Sequence, residues 1–426
     1  MALPLIIINS TGGHDTQASG AGPATALYGS NAVSAADGLS VTLATDNPDL
    51  SGVATDGSAV LFFNDTNAGS KNFVKITNVD NATKVVTLTP ALRASQTKGW
   101  AIGGKRSAIS TTLSKKLFDN NGGAGDAQAG WIIEMQSGHS ETVAARIDVR
   151  CAGGATTGRI ILRGESGAAT RPVLTKSGTG DIVPRTDYFT FQDFDTTLPM
   201  IGTASVVSYI GVKSTGPGSG DAFNNPGAQS QFQGCEITGW ANGITGSMQS
   251  GHIIGNYIHG LTGDAIVNDA RDMSGWICFA NVINDCGSDG IVMTQNRSDG
   301  YGSMKVLQNV INDCGGDGIR YVSLAASMAG LMIVNNSISA CGAYGINLSN
   351  AGADAVEINA YRPIILNNNT YGSGTANFHL GDGTTADGTI NVGDSHIDPA
   401  YTNVAGEDFT SAALADLGFP QILANL

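Results

Sequence analysis

The chain has 426 residues and a formal charge of −14, from 22 basic and 36 acidic side chains. It contains no block of Lys and Arg, and an acidic surface repels phosphate backbones, which argues against a nucleic-acid partner. No apolar run reaches the roughly 18 residues that a membrane-spanning helix needs, which argues against a membrane partner.

Hydrophobic residues make up 41% of the chain, charged residues 14%, and there are 58 glycines. Leu, Glu and Lys, which fill helices, are sparse. That profile points to β structure with many tight turns. The start, MALPLIIINSTGG, has no basic segment before its apolar run and no small-residue cleavage site after it, so it reads as a strand rather than a signal peptide. Residues 1–38 as a whole are rich in Gly, Ala, Ser and Thr, and are expected to form an extended arm ordered against a partner. Across 39–108, LSVTLATD, AVLFFNDT, FVKITNVD and KVVTLTPAL alternate with Asn, Asp and Gly turns. This predicts a small antiparallel β domain. In STTLSKKLFDNNGG, Ser110 or Thr111 can cap a helix whose face carries Leu113, Leu117 and Phe118, with Gly122-Gly123 ending it. A short helix over 109–124 is therefore expected to close the end of the structure that follows.

From residue 129 onward WIIEMQSG, RIDVRCAGG, RIILRGESG, YFTFQDFD and SVVSYIGVKS continue as strands, and the clearest signal follows. NVINDCGSDGIVM at Asn281 and NVINDCGGDGIRY at Asn309 agree at ten of 13 positions. Related copies begin at Asn256, Asn336 and Asn368, with a looser one at Cys235. Anchoring on Ile258, Ile283, Ile311, Ile338 and Thr370 places a second apolar residue eight positions later in every copy: Ile266, Ile291, Ile319, Ile346 and Phe378. Asn stands two positions before each anchor. The period varies from 25 to 32 residues, and the apolar positions lack helical spacing. Each copy reads as two short strands, a turn and a variable loop. Such units bury their apolar faces by stacking, which gives a parallel β-solenoid. Equivalent residues then lie about 4.8 Å apart. Ile283, Ile311 and Ile338 would stack inside, and Asn281, Asn309 and Asn336 would form an amide ladder. Cys286, Cys314 and Cys341 would share one column; three in a row cannot all pair, so a reduced inward stack is expected. None of the six cysteines, which also include Cys151, Cys235 and Cys278, forms a CxxC pair and no His cluster accompanies them, so zinc is not expected; no metal or cofactor is assigned.

This Asn-x-Ile…Asp-Gly-Ile coil resembles right-handed parallel β-helix proteins of the pectate-lyase-like superfamily, over about residues 125–400. The resemblance implies an all-β fold: a right-handed parallel β-helix over 125–394, preceded by the small β domain and arm. Residues 395–426 resemble the closing segment of such chains, with Tyr401, Asp408-Phe409 and Gly418 as its marks. This fold hosts lyases, hydrolases, adhesins and phage spikes alike, so it does not by itself give an activity.

Asp264, Asp289 and Asp317 share a column two positions before the second anchor. Asp-Gly is a turn dipeptide, and turn chemistry is the preferred role. A pair on adjacent coils would also suit a retaining glycosidase or a hard cation such as calcium. A polysaccharide lyase would need a base and a cation, for which Lys305, Arg297 and Arg320 are candidates. His252, His259 and His379 read as isolated surface or loop residues. Trp240, Trp276 and Tyr301 are candidates for a sugar platform, with Trp276 the more core-like in WICFA. The arrangement of arm, small domain and solenoid resembles phage spikes and decoration proteins. It implies a homotrimeric virion protein on the capsid surface, docked through residues 1–110 on a major capsid protein. The alternative is a tailspike or free polysaccharide depolymerase acting on a host surface glycan.

Overall fold

In the computed structural model the described residues are 5–8, 27–43, 46–55, 59–63, 71–102, 109–110, 117–120, 123–124, 126–151, 158–202, 204–270, 273–295, 303–323, 330–350, 364–380, 390–392, 408–409 and 422–423. Among them no α-helix occurs. The chain divides into two compact units, Met1–Leu198 and Pro199–Leu426.

The first unit combines a closed barrel with the first coils of a parallel β-helix. The barrel order is Leu27–Ser34, Ser40–Thr42, Val85–Thr89, Phe73–Asp80, Val60–Phe63, Thr97–Ile102, returning to Leu27–Ser34. Its pairs are antiparallel. Alternate residues point inward, and Leu61, Phe63, Val74, Ile76, Val86, Leu88, Trp100 and Ile102 fill the interior. The expected domain over 39–108 therefore gains a strand, Leu27–Ser34, from the stretch expected to be an arm. Leu5–Ile8 also departs from that expectation. It pairs in parallel with Ile132–Met135, which is followed in the same sheet by Ile160–Gly164 and Phe189–Gln192. Four apolar residues find their partners far downstream, and the barrel is built between them. Residues 9–26 lie outside the described residues.

The expected capping helix falls largely outside the described residues. Residues 111–116 lie outside the described residues, but Asp119–Asn120 pairs with Gly123–Ala124 as an antiparallel hairpin rather than a helix end. Two buried carboxylates brace this region. Asp126 Oδ2 accepts the backbone N–H of Asn72 at 2.7 Å and of Phe73 at 3.2 Å, with Lys71 Nζ 3.4 Å from the other oxygen. Glu141 accepts the N–H of Ile109 at 2.8 Å and of Ser110 at 2.7 Å, and lies 3.3 Å from His139 Nε2.

In the second unit each coil carries three strands, one for each of three parallel sheets. The repeat read from sequence captured the second and third. The first-sheet strands, such as Ile277–Phe279, Lys305–Leu307 and Met332–Val334, precede each ladder Asn. They escape the pattern because their outward residues are often apolar too, as in Ile277, Phe279 and Leu307, so alternation is lost. Second-sheet register aligns Ile237, Ile258, Ile283, Ile311 and Ile338, all 0% exposed. Third-sheet register aligns Ile244, Ile266, Ile291, Ile319 and Ile346, equally buried. Each full burial of such a side chain is worth roughly 1.5–3 kcal/mol.

Asn256, Asn281, Asn309, Asn336 and Asn368 sit at the turn from first to second sheet. Each amide donates to the next: 256 to 281 at 2.8 Å, then 281 to 309, 309 to 336 and 336 to 368, each at 2.9 Å. All six cysteines are buried and free, with Cys286 opposite Cys314. Burial raises the Cys151 thiol to about 12. The Cys314 thiol is raised well above its ordinary value, first by its contact with Cys286. Such thiols are unreactive. Of the expected closing segment, Asp408–Phe409 pairs with Ile422–Leu423.

Two predictions follow from this packing. A Cβ on Gly318 would meet the Gly345 carbonyl oxygen at 2.6 Å and the Ile338 side chain still more closely. Gly318→Ala should therefore lower stability by ~1–3 kcal/mol in urea unfolding, and an unchanged midpoint would show that the coils do not stack so closely. The second concerns Glu141. Burial pushes this carboxyl up, but donation from His139, Ser110 and Ile109 outweighs burial and holds it below its ordinary value. Its stabilising effect is complete above the ordinary glutamate range and is lost as pH falls through that range toward the depressed value. Thermal unfolding followed through the acidic range should show this loss, and Glu141→Gln should flatten the dependence.

Candidate functional site on the third sheet

Strand periodicity decides what the third sheet shows to the outside. Ile291, Ile319 and Ile346 point inward, so the next residue on each strand faces out. Register then lines up Val292, Arg320, Asn347 and His379 on successive strands. The column two positions before the anchors holds Asn242, Asp264, Asp289, Asp317 and Tyr344. The two columns are joined by hydrogen bonds.

The Asp column is a backbone ladder. Asp264 Oδ1 accepts the N–H of Asp289 at 2.9 Å, Asp289 Oδ1 that of Asp317 at 2.6 Å, and Asp317 Oδ1 that of Tyr344 at 2.9 Å. Asn242 does the same for Asp264 at 2.9 Å. The second oxygens turn to the outward column. Asp289 Oδ2 accepts from Arg320 Nη1 at 3.2 Å, and Asp317 Oδ2 from Asn347 Nδ2 at 2.7 Å. Because Asn347 donates through Nδ2, its Oδ1 is the acceptor facing His379 Nδ1, 2.9 Å away. The hydrogen therefore sits on Nδ1, and Nε2 is the ring nitrogen left for a ligand. The His379 ring stacks on Tyr344 with centroids 4.6 Å apart.

Asp289 and Asp317 are 6% and 5% exposed, whereas the Arg320 side chain is 45% exposed and Tyr344, Asn347 and His379 are half-buried. Burial raises the pKa of Asp289, and the Asp317 and Asp264 charges add to this. Donation from the Asp317 N–H and from Arg320 opposes it. The surface open to a ligand is thus one guanidinium and one amide, held from behind by carboxylates whose oxygens already have protein donors, and one imidazole nitrogen on a ring held by that amide and stacked on Tyr344.

The candidates read from sequence separate accordingly. Asp289, Asp317 and Arg320 come together, while Lys305 lies on a first-sheet strand and Arg297 outside the described residues. His379 is not isolated. His252 belongs to the first sheet, and His259 to the second, where its ring stacks on Tyr257 at 4.0 Å and its Nε2 lies 3.5 Å from Glu236. Contact with His259 is the largest of the effects that hold the Glu236 carboxyl at about 2, with Lys213 adding to it. Trp240 and Trp276 are buried, at 1% and 0% exposure, and offer no sugar platform; Tyr301 lies outside the described residues. Tyr344 and Asn347 were not singled out and His379 reads as isolated in the sequence, although the residue after each second anchor, as with Asn347 and His379, marks the outward column. No cluster of three or more metal-ligating side chains occurs among the described residues.

No protein-family model matches the chain, and no curated protein matches it. Among solved structures it is similar to the Dettilon tailspike protein, with 11% identity over 64% of this chain and 57% of that one, at a TM-score of 0.40. It is similar to pectate lyase Pel9A, with 13% identity over 64% of this chain and 69% of that one, at a TM-score of 0.38. A periplasmic alginate epimerase gives 11% identity over 64% and 76%, at a TM-score of 0.35. No residue role passes across at such identities, and the strip is interpreted from its own geometry.

The ladder and a catalytic role for Asp289 predict different mutant behaviour. Asn242 already accepts the next coil's N–H from the same column, so Asp289→Asn should stay within about 1 kcal/mol of the parent protein. Asp289→Ala leaves the Asp317 N–H without its acceptor and should cost about 1–3 kcal/mol. Chemical denaturation of the two variants distinguishes them, and equal losses would remove the ladder as the role of this carboxylate.

Proposed function

We propose that this chain is a glycan-binding parallel β-helix that holds an extended polysaccharide along the outer face of its third sheet. The observation that carries this is the register of Arg320, Asn347 and His379 on three consecutive strands. Neighbouring strands stand about 4.8 Å apart, close to the advance per sugar in an extended polysaccharide. Each rung therefore meets about one sugar. Arg320 presents a planar fork suited to a carboxylate or phosphate on the ligand. Asn347 and His379 suit hydroxyls, and the half-buried rings of Tyr344 and His379 offer faces to sugar C–H groups.

This reading supports the glycan-directed alternative over capsid decoration. The stretch 1–38 was expected to be an arm ordered against a partner, and Leu5–Ile8 instead pairs with Ile132–Met135 of the solenoid. Cleavage is not part of the proposal, because the oxygens of Asp289 and Asp317 already serve backbone and side-chain donors. A trimeric, virion-borne setting, expected from the sequence organisation, would multiply weak glycan contacts by avidity.

The test is binding of the purified chain to a panel of neutral and anionic polysaccharides by biolayer interferometry. Arg320→Ala and His379→Ala should each weaken binding about tenfold or more, as expected for loss of a hydrogen bond from a charged donor or to a ring nitrogen, with circular dichroism unchanged. Absence of binding across the panel, or binding indifferent to both variants, overturns the proposal.

A further inference from the structure

A cleft of about 420 Å³ opens in the second unit, lined by Asn224, Asn225, Thr245, Ser247 and Asp269 together with Gly246 and Val267. Its position is informative. Asn224 pairs with Thr245, Thr245 with Val267, Val267 with Val292, and Val292 with Arg320. The cleft therefore lies upstream on the same outward column that carries Arg320, Asn347 and His379. Three strand steps separate Thr245 from Arg320, roughly 14 Å at about 4.8 Å per step.

The walls are held rigidly from behind. Asn224 Nδ2 donates to Asp221 Oδ2 at 2.6 Å, and Asn242 Nδ2 donates to the other oxygen of Asp221 at 2.8 Å. Asn268, 0% exposed, ties the two loops at the rim: its Oδ1 accepts from Met248 N at 2.9 Å and Ala270 N at 3.2 Å, and its Nδ2 donates to the Met248 carbonyl at 2.9 Å. Gly246 has φ +151°, and a Cβ there would meet Asn225 Cα at 2.6 Å, so the close approach of the two coils requires glycine. Asn224, Asn225 and Ser247 are exposed. The lining contains amides, hydroxyls and one carboxylate, and no cation. It can donate to and accept from hydroxyl groups, and Asp269 disfavours an anion.

We infer that this cleft is a subsite for one neutral, hydroxyl-rich sugar ring, set about three sugars from the anion-accepting position at Arg320. The inference rests on the glycan path of the third sheet and adds a polarity to it. The ligand carries a neutral sugar over Asn224 and Thr245, its path crosses the strands of Val267 and Val292, and its acidic group meets Arg320.

The test uses single neutral sugars, so that it does not depend on the polymer. Glucose, galactose and N-acetylglucosamine are titrated by saturation-transfer NMR against the full chain, the double variant Asn224→Ala with Ser247→Ala, and Arg320→Ala. The expected result is weak binding of at least one sugar, weakened at least tenfold in the double variant and unchanged in Arg320→Ala. Both replaced side chains are exposed, and circular dichroism checks that the coils persist. Lack of binding by all three sugars, or binding equal in the double variant, overturns the subsite. Sugar binding at the cleft with no polysaccharide bound at Arg320 overturns the longer path and leaves the subsite standing.

Discussion

The fold depends on how a chain can turn sharply between two sheets at every coil without leaving backbone groups unpaired. In the second unit the residue before each ladder Asn is left-handed: Ala280, Gln308, Asn335 and Asn367 have φ between 54° and 57°. That conformation costs L-residues roughly 1–2 kcal/mol each. The following Asn compensates. Asn281 Nδ2 donates to Asn309 Oδ1 and to the Ile253 carbonyl, while its Oδ1 accepts from the backbone N–H and the Nδ2 of Asn256. All four hydrogen-bonding capacities of the buried amide are used. Aspartate lacks the two donors, and leucine lacks every one of these groups, so the column admits little but Asn.

Once that turn is fixed, the rest of the coil follows in register. The Asp column repeats the same device between second and third sheets with a carboxylate in place of an amide, and Asn242 shows that either will serve. A slip of one residue would turn every inward Ile to solvent, so the two ladders and the Ile columns enforce the same alignment. Variation in coil length, from 25 to 32 residues among the repeats, falls between the third strand of one coil and the first of the next. The outward column therefore stays straight while the loops around it change.

This explains what could be read from the sequence. Asn, anchor and second anchor lie within one short segment, so their spacing survives in the linear chain, and the parallel stack could be derived from it. First-sheet strands of the repeats lack alternation, and Leu5–Ile8, which reads as a strand, has its partner far away, so their places in the sheet leave no local trace. Of the stretch with helical spacing, Leu117 and Phe118 are buried, Phe118 meeting Phe189 with ring centroids 6.4 Å apart, and the hairpin of Asp119–Asn120 with Gly123–Ala124 follows them. Asp289, Asp317 and Arg320 were visible because they fall inside the repeated segment. His379 reads as isolated, because the copy beginning at Asn368 has Thr370 and Phe378 where the others have Ile, and its likeness is weak.

The site borrows its rigidity from the same ladders. In Asp289 and Asp317 one carboxylate oxygen holds the next coil's backbone and the other aims a side chain of the outward column. On the proposed glycan-binding reading these residues serve stability and recognition through different atoms. A ligand meets Arg320, Asn347 and His379 already oriented, so little side-chain freedom is lost on binding. Changing the residue that follows each anchor would alter what is recognised without touching the ladder. Thr245, Val267, Val292, Arg320, Asn347 and His379 differ in character from strand to strand, whereas the Ile column beside them hardly varies. A solenoid built this way separates the part that must repeat from the part that can specify, and places both on the same strand one residue apart.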